Sequence, residues 1–315
     1  MTATNAPHQT HARGLLRLIS PSGAVPEPER IERAERHLLA LGFRVQRDAQ
    51  VLSRVQRFAG TDTQRLQAIH RAARSKARVV LATRGGYGLG RILPRLDYAL
   101  LAEAMTQREQ CWVGHSDFTA LQLAVLAQTG AVTYSGPMAA YDFGNEKLDD
   151  ITVDSFLDAL DGSQEAVGFA CDDAPRGLDA AGVLWGGNLC LVASLVGTPY
   201  LPKQRGVLFL EDIAEQPYSV ERMFTQLLHA GVLQRQKVVV LGAFTEYKLT
   251  AHDAGFDLAA AVAWLRVQLK PHGVPVITGL PFGHVRTKLT LPHGARCRLV
   301  RDGGEAYLVF AHAHD

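Results

Sequence analysis

The chain has 315 residues, room for one large domain or two ordinary ones, and its 47% apolar and 20% charged content is that of a globular protein with a sizeable core. Its 33 Lys and Arg against 31 Asp and Glu are scattered along the chain, which excludes a nucleic-acid footprint and a polybasic membrane patch. Cys111, Cys171, Cys190 and Cys297 lie far apart, with no CxxC or Cys/His ligand spacing. This argues against a disulfide framework or a zinc site and for reduced thiols in a cytosolic protein. No apolar run approaches the roughly 18 residues of a membrane span. The polar start MTATNAPHQTHARG has no apolar region of a secretory leader, and its first dozen residues read as a disordered tail.

Residues 15–20 (LLRLIS) read as a strand that ends in the turn PSG. A helix is expected next, with Pro28 near its first turn, Ile31, Ala34, Leu38 and Leu41 on one face, and Gly42 as its stop. A second strand starts at Phe43–Val45. Residues 61–75 open on a capping residue and read as a helix. Residues 78–83 (RVVLAT) are a strand running into RGGYGLG. A further helix is expected over about 94–106. The strand CWVG (111–114) then leads into HSDFTALQLAVLAQTG, which is apolar nearly all round and predicts a buried helix.

Strands alternating with helices predict a parallel sheet with helices on both faces, whose ligands sit beyond the carboxyl ends of the strands. Both RGGYG and GHSD fall at such ends. The pattern weakens between about 142 and 178, where one helix is expected and GFACDDAPRGLDAAG is rich in Asp, Pro and Gly. The expected division is an N-terminal α/β domain over 14–168, a linker over 169–177 and a C-terminal domain over 178–315. The second half carries the strands GVLWGG, GVLFLEDI, KVVVLGAF, PVITGLPFG, CRLVRD and AYLVFAH, and helices at about 219–230 and 255–269. A final hairpin is expected through Asp302-Gly303-Gly304.

The glycine cluster is not a phosphate loop. Gly85 to Gly90 has the spacing, but Arg91 and Ile92 stand where Lys and Ser/Thr belong, and the GxGxxG frame fails at Arg91. Glycines after a strand still let backbone N–H groups approach a ligand, as an oxyanion-hole donor must. In GHSD, the strand–turn–helix setting is that of a nucleophile elbow without its GxSxG spelling. Ser116 would then be the nucleophile, and the N–H of Asp117 would face a developing oxyanion. The competing reading is an ordinary helix cap. His115 and Asp117 cannot complete a triad locally, because neighbours on a tight turn project in different directions, so base and acid must lie elsewhere.

Among the histidines, His8, His11, His312 and His314 belong to the ends, and His37, His70 and His229 to helix faces. His252 with Asp253 is a weak metal suggestion, and His272 and His293 sit in Pro/Gly turns. His284 follows a strand and a PFG turn, which puts a ring at a strand end. Glu211 ends the apolar run GVLFL beside Asp212, and a carboxylate there must be paired or functional. The pattern offers Ser116, Glu211 and His284 without excluding rival sets.

Blocks spread over the chain resemble the LD-carboxypeptidases, serine peptidases that include the muramoyltetrapeptide carboxypeptidases. They are ISPSG (19–23), RGGYGLGRILPRLD (84–97), GHSDFTAL (114–121), TYSGPM (133–138), GGNL (186–189), GTPYLP (197–202), LFLEDIAEQPYSVERMFTQL (208–227) and PFGHVRTKLTLPHG (281–294). The resemblance covers about 15–300. It implies a flavodoxin-like or glutamine-amidotransferase-like N-terminal domain, a smaller β-rich α/β C-terminal domain, and a site in the cleft between them.

It also implies a Ser–His–Glu triad falling on Ser116, His284 and Glu211, with an oxyanion hole from the N–H groups of Gly86 and Asp117. The implied substrate is a murein tetrapeptide that loses its terminal D-alanine. The implied protein is a cytoplasmic homodimer that needs no metal or other cofactor. Arg84 is a candidate for the substrate's terminal carboxylate, against a reading as a surface or interface arginine. One alternative is a related hydrolase that confers self-immunity by cleaving an aminoacyl-nucleotide antibiotic. A farther one is a binding protein without turnover. One departure stands out: the residue before the nucleophile, commonly aromatic in the family, is His115, and its ring is expected to point away from the serine oxygen.

Overall fold

The computed structural model describes residues 13–310, so His8, His11, His312, His314 and the expected N-terminal tail lie outside the described residues. The first half runs β1 (Leu15–Ile19), α1 (Pro28–Ala40), β2 (Arg44–Arg47), α2 (Asp62–Arg74), β3 (Val79–Ala82), α3 (Tyr98–Thr106), β4 (Cys111–Gly114), α4 (Phe118–Thr129) and β5 (Thr133–Ser135). It continues through α5 (Asp150–Asp161), β6 (Ala166–Ala170), β7 (Asp179–Asn188), α6 (Leu189–Ser194), β8 (Gly206–Ile213), α7 (Pro217–His229), β9 (Val238–Thr245) and α8 (Leu258–Leu269). Last come β10 (Val276–Ile277), β11 (Leu291–His293), β12 (Arg296–Asp302) and β13 (Glu305–Phe310).

The first sheet has the order β11-β5-β4-β3-β1-β2. Strands β1 to β5 are parallel in the flavodoxin-like order 2-1-3-4-5, and the order reverses between β1 and β3. Strands β3 and β4 are buried on both faces, and the face each side chain takes alternates with period two. Val79 and Leu81 face α1 and α5, while Val80 and Ala82 face α2, α3 and α4. In α1, Ile31, Ala34 and Leu38 form the fully buried stripe expected from their spacing. Helix α2 starts where a capping box forms between Thr61 and Gln64.

The second sheet has the order β10-β9-β8-β7-β12-β13-β6. Strands β7 to β10 are parallel, and β12, β13 and β6 extend the sheet antiparallel. Helix α4 lies in a core continuous across the halves, which includes Trp112 of β4 as well as Trp185 and Leu208 of the second sheet. That is why its sequence shows no polar face: Phe118 to Leu126 are all buried.

Sheet membership does not follow the boundary expected at 169–177. Strand β6 begins before that linker and runs into it, yet pairs with β13 in the second sheet. Strand β11, from the other end of the chain, pairs antiparallel with β5 and closes the edge of the first. Neither was legible, because each is short and acquires its partner only through a pairing remote in sequence.

Two further differences are local. The helix expected from about residue 94 begins at Tyr98, where the Asp97 carboxylate accepts the Leu100 N–H at 3.0 Å; two 3₁₀ turns precede it. The strand expected over PVITGL shrinks to Val276–Ile277, because Gly279 turns the chain at φ +98° and Pro281 has no N–H to pair. The C-terminal hairpin turns through Gly303 and Gly304 as expected, with Asp302 opposite Glu305.

Candidate active site

The turn between β4 and α4 carries Ser116 at φ +62°, a left-handed conformation that a residue with a side chain rarely adopts. Such strain is the mark of a nucleophile elbow, and an ordinary helix cap does not require it. The Asp117 side chain makes no cap bond to its own helix. Instead its buried carboxylate reaches back and accepts the Leu89 N–H at 3.0 Å, tying the glycine loop after β3 to the serine turn. Burial raises the Asp117 pKa, against hydrogen bonds from the loop.

That loop comes close. A methyl group at Gly85 would lie 2.6 Å from both Cβ and Oγ of Ser116. The Gly23 N–H of the PSG turn donates to the Gly85 carbonyl at 3.0 Å, so the turns at the switch point brace one another. Gly86 adopts φ +104°, and neither its N–H nor that of Asp117 donates to an acceptor among the described residues.

The acid and base come from the second half. Glu211 sits near the carboxyl end of β8 with no exposed surface. The β8–β9 pairing slips there, so that Glu211 stands against two residues of β9, Gly242 and Ala243. His284 Nδ1 lies 2.8 Å from Glu211 Oε2. An ionised carboxylate only accepts, so Nδ1 carries the proton and Nε2 keeps its lone pair. Gly283 permits this approach, since a methyl group there would lie 2.9 Å from Glu211 Oε2. Burial lowers the His284 pKa, but the Glu211 hydrogen bond and the charges of Glu211 and Asp212 outweigh it, and the net shift is upward.

Asn188, at the end of β7, links the halves. Its N–H donates to Thr119 Oγ1 of α4 at 3.2 Å, three residues after Ser116. Its side-chain amide donates to Glu211 Oε1 at 3.3 Å and to Asp212 Oδ1 at 2.8 Å, while its Oδ1 caps α6. Asp212 also accepts the Cys190 N–H. Burial, with Glu211 alongside, pushes the Asp212 carboxyl up to about 6. Sequence reasoning named Asp212 only as the neighbour of Glu211 and gave Asn188 no role. The GGNL block was the available signal for Asn188, but its amide meets the acids only across strands β7 and β8.

Ser116, His284, Arg84, Gly85 and Gly86 line one hollow of about 560 Å³. Arg84 donates to the Ala24 carbonyl at 2.8 Å, lies over the Tyr141 ring and forms no salt bridge among the described residues. The ring of His115, expected to point away from the serine oxygen, forms part of the wall of this hollow. It is buried and packs edge-on against His284 with ring centroids 5.1 Å apart. Its Nδ1–H donates to the Gly136 carbonyl at 2.8 Å, and burial with nearby His284 and Lys288 holds its pKa well below the ordinary value.

Among the described residues, no other histidine lines the hollow. His37 binds the Phe143 carbonyl, His70 accepts the Asp97 N–H, and His293 is wholly buried on β11. The His252–Asp253 pair sits in a 3₁₀ turn capped by Thr250, and no group of three or more metal-ligating side chains occurs among the described residues. No described helix is long and apolar enough to cross a membrane.

The family model for the LD-carboxypeptidase N-terminal domain matches residues 16–136, and that for the LD-carboxypeptidase C-terminal domain matches residues 181–299. The chain belongs to the LD-carboxypeptidase family. Among solved structures, the muramoyltetrapeptide carboxypeptidase from Oxalobacter formigenes is 40% identical, with a TM-score of 0.86, over 94% of this chain and 98% of that one. The protein named "Probable murein peptide carboxypeptidase" in Bacillus subtilis (strain 168) is 29% identical over 90% of this chain and 87% of its own length. The microcin C7 self-immunity protein of Escherichia coli is 26% identical over 69% of each chain. This LD-carboxypeptidase family member thus has the two-domain α/β fold of its relatives and is a peptidase.

Proposed function

We propose that the chain is a serine-type LD-carboxypeptidase that releases the terminal D-alanine of murein tetrapeptides by cutting its amide bond to an L-centred diamino acid. The observation that carries this reading is the 2.8 Å His284–Glu211 contact at the wall of a hollow that the strained Ser116 also lines. Ser116 Oγ attacks the scissile carbonyl carbon and passes its proton to His284 Nε2. Glu211 holds the ring and stabilises the imidazolium. The N–H groups of Gly86 and Asp117 hold the oxyanion, each contributing about 3 kcal/mol by analogy with other oxyanion holes. The imidazolium protonates the leaving amine of D-alanine, and water activated by His284 then frees the acyl-enzyme. Arg84 is proposed to bind the substrate's terminal carboxylate. The cytoplasmic homodimer goes with this reading and rests on family resemblance.

Incubation with purified murein tetrapeptide, followed by mass spectrometry, tests it. Loss of one D-alanine is expected, and Ser116→Ala should abolish it. The self-immunity relative makes an aminoacyl sulfamoyl nucleotide the control substrate. Its cleavage without release from any LD-peptide would replace this reading with the immunity one. Turnover of neither substrate would leave a binding protein.

A further inference from the structure

The wall of the hollow beside His284 holds an ion pair that the proposed chemistry does not use. Lys288 Nζ pairs with Asp142 Oδ1, and the two side chains are only 3% and 7% exposed. Asp142 Oδ2 also accepts the Met138 N–H at 2.7 Å, so the carboxylate is fixed from two sides. Both residues line the hollow with Ser116, His115 and His284. A buried ion pair contributes little to stability, because desolvation offsets the attraction, so its retention beside a titrating ring calls for another role.

The charges facing His284 are unevenly arranged. From β8 come Glu211 and Asp212, both favouring the imidazolium. From the β4–α4 turn comes His115, a neutral ring whose one proton is committed to the Gly136 carbonyl. Glu246, just past β9, and Arg286, on the same loop as His284, line the hollow from exposed positions, and Arg84, after β3, lines it half-buried. Lys288 is the buried cation on this wall.

We propose that Lys288 and Asp142 act as a positioning pair that sets the pH range in which His284 is an unprotonated base. Two carboxylates on β8 favour the protonated ring, which cannot accept the Ser116 proton. The Lys288 cation opposes them, and its effect on the ring is downward. Asp142, itself fixed by the Met138 N–H, holds the ammonium in place beside the ring.

This inference rests on His284 being the base, and the test separates the two. The acidic limb of kcat/KM is measured for the wild type, Lys288→Met, Lys288→Arg and the Lys288→Met/Asp142→Asn double variant. The same variants are made on Ser116→Ala, and the His284 ring is titrated by NMR, which needs no turnover. Lys288→Met should move limb and titration upward by about 1 pH unit, the scale of a single nearby charge. Lys288→Arg should stay near the wild type, and the double variant should fall between wild type and Lys288→Met. A rate loss in Lys288→Met that is equal at every pH, or a Lys288→Arg limb that moves as far, would overturn the proposal. If Lys288→Met fails to fold, the double variant, which leaves no lone buried charge, decides. Its limb should lie above the wild type, and coincidence with the wild type would overturn the pairing role. A wild type that releases no D-alanine would instead defeat the serine reading.

Discussion

The two halves of the site are built in opposite ways. The nucleophile half is local and made of backbone: a strained Ser116, the glycines of the loop after β3, and free N–H groups, all within residues 84–118. The acid–base half is remote and made of side chains: His284 on Glu211, Glu211 on Asn188, and Asn188 on Asp212 and Thr119. The first keeps its geometry by steric fit, so it is sensitive to a single methyl group. The second keeps it by hydrogen bonds between buried polar groups, so it is sensitive to the loss of one partner.

Among variants that keep Ser116, the largest effect should come from the remote half. Glu211→Ala leaves His284 without its orienting acceptor, and kcat should fall about 10⁴-fold, as for other triads that lose the acid. A loss below tenfold would show that the ring is held by packing alone. In the local half, Gly85→Ala should cost about 10²-fold in kcat, because the new Cβ displaces the Ser116 side chain. Retained kcat with altered KM would place the loop in binding rather than alignment.

Smaller effects should follow at the link and at the wall. Asn188→Ala removes the amide donor to Glu211 and Asp212 and should lower stability by about 1–3 kcal/mol in denaturant unfolding. A variant as stable as wild type would mean that water replaces the amide. His115→Phe keeps a ring against His284 and should retain kcat within about tenfold. It should lose about 1 kcal/mol of stability, since the Gly136 carbonyl loses its donor. An activity loss as large as that of Ser116→Ala would make His115 part of the chemistry.

Much of this was legible because it is written in short-range patterns. The buried stripe of α1, the capping residue that opens α2 and the all-apolar α4 follow from spacing and residue type. So does the placing of Ser116 and Glu211 at the carboxyl ends of β4 and β8, whereas His284, expected at a strand end, lies in the loop beyond the shortened β10. Asp117 shows the limit. As a helix-start residue it could be expected to cap α4, but its carboxylate leaves that helix to hold Leu89. His115 shows it again, since its packing against Phe282 and edge-on against His284 exists only once β4 and the loop after Phe282 are brought together.

The sequence by itself determined the periodicities, the strand–turn–helix setting of Ser116 and, through its separated blocks, the family. Those features depend on neighbours within a few turns or on residue identity. Only the tertiary structure decided that β6 and β11 exchange sheets, that Asn188 joins α4 to Glu211, and that Lys288 is buried against Asp142 beside His284. Each of these depends on a contact between residues remote in the chain. Such contacts form only when closing the intervening loops is offset by burial and hydrogen bonding that no local pattern records.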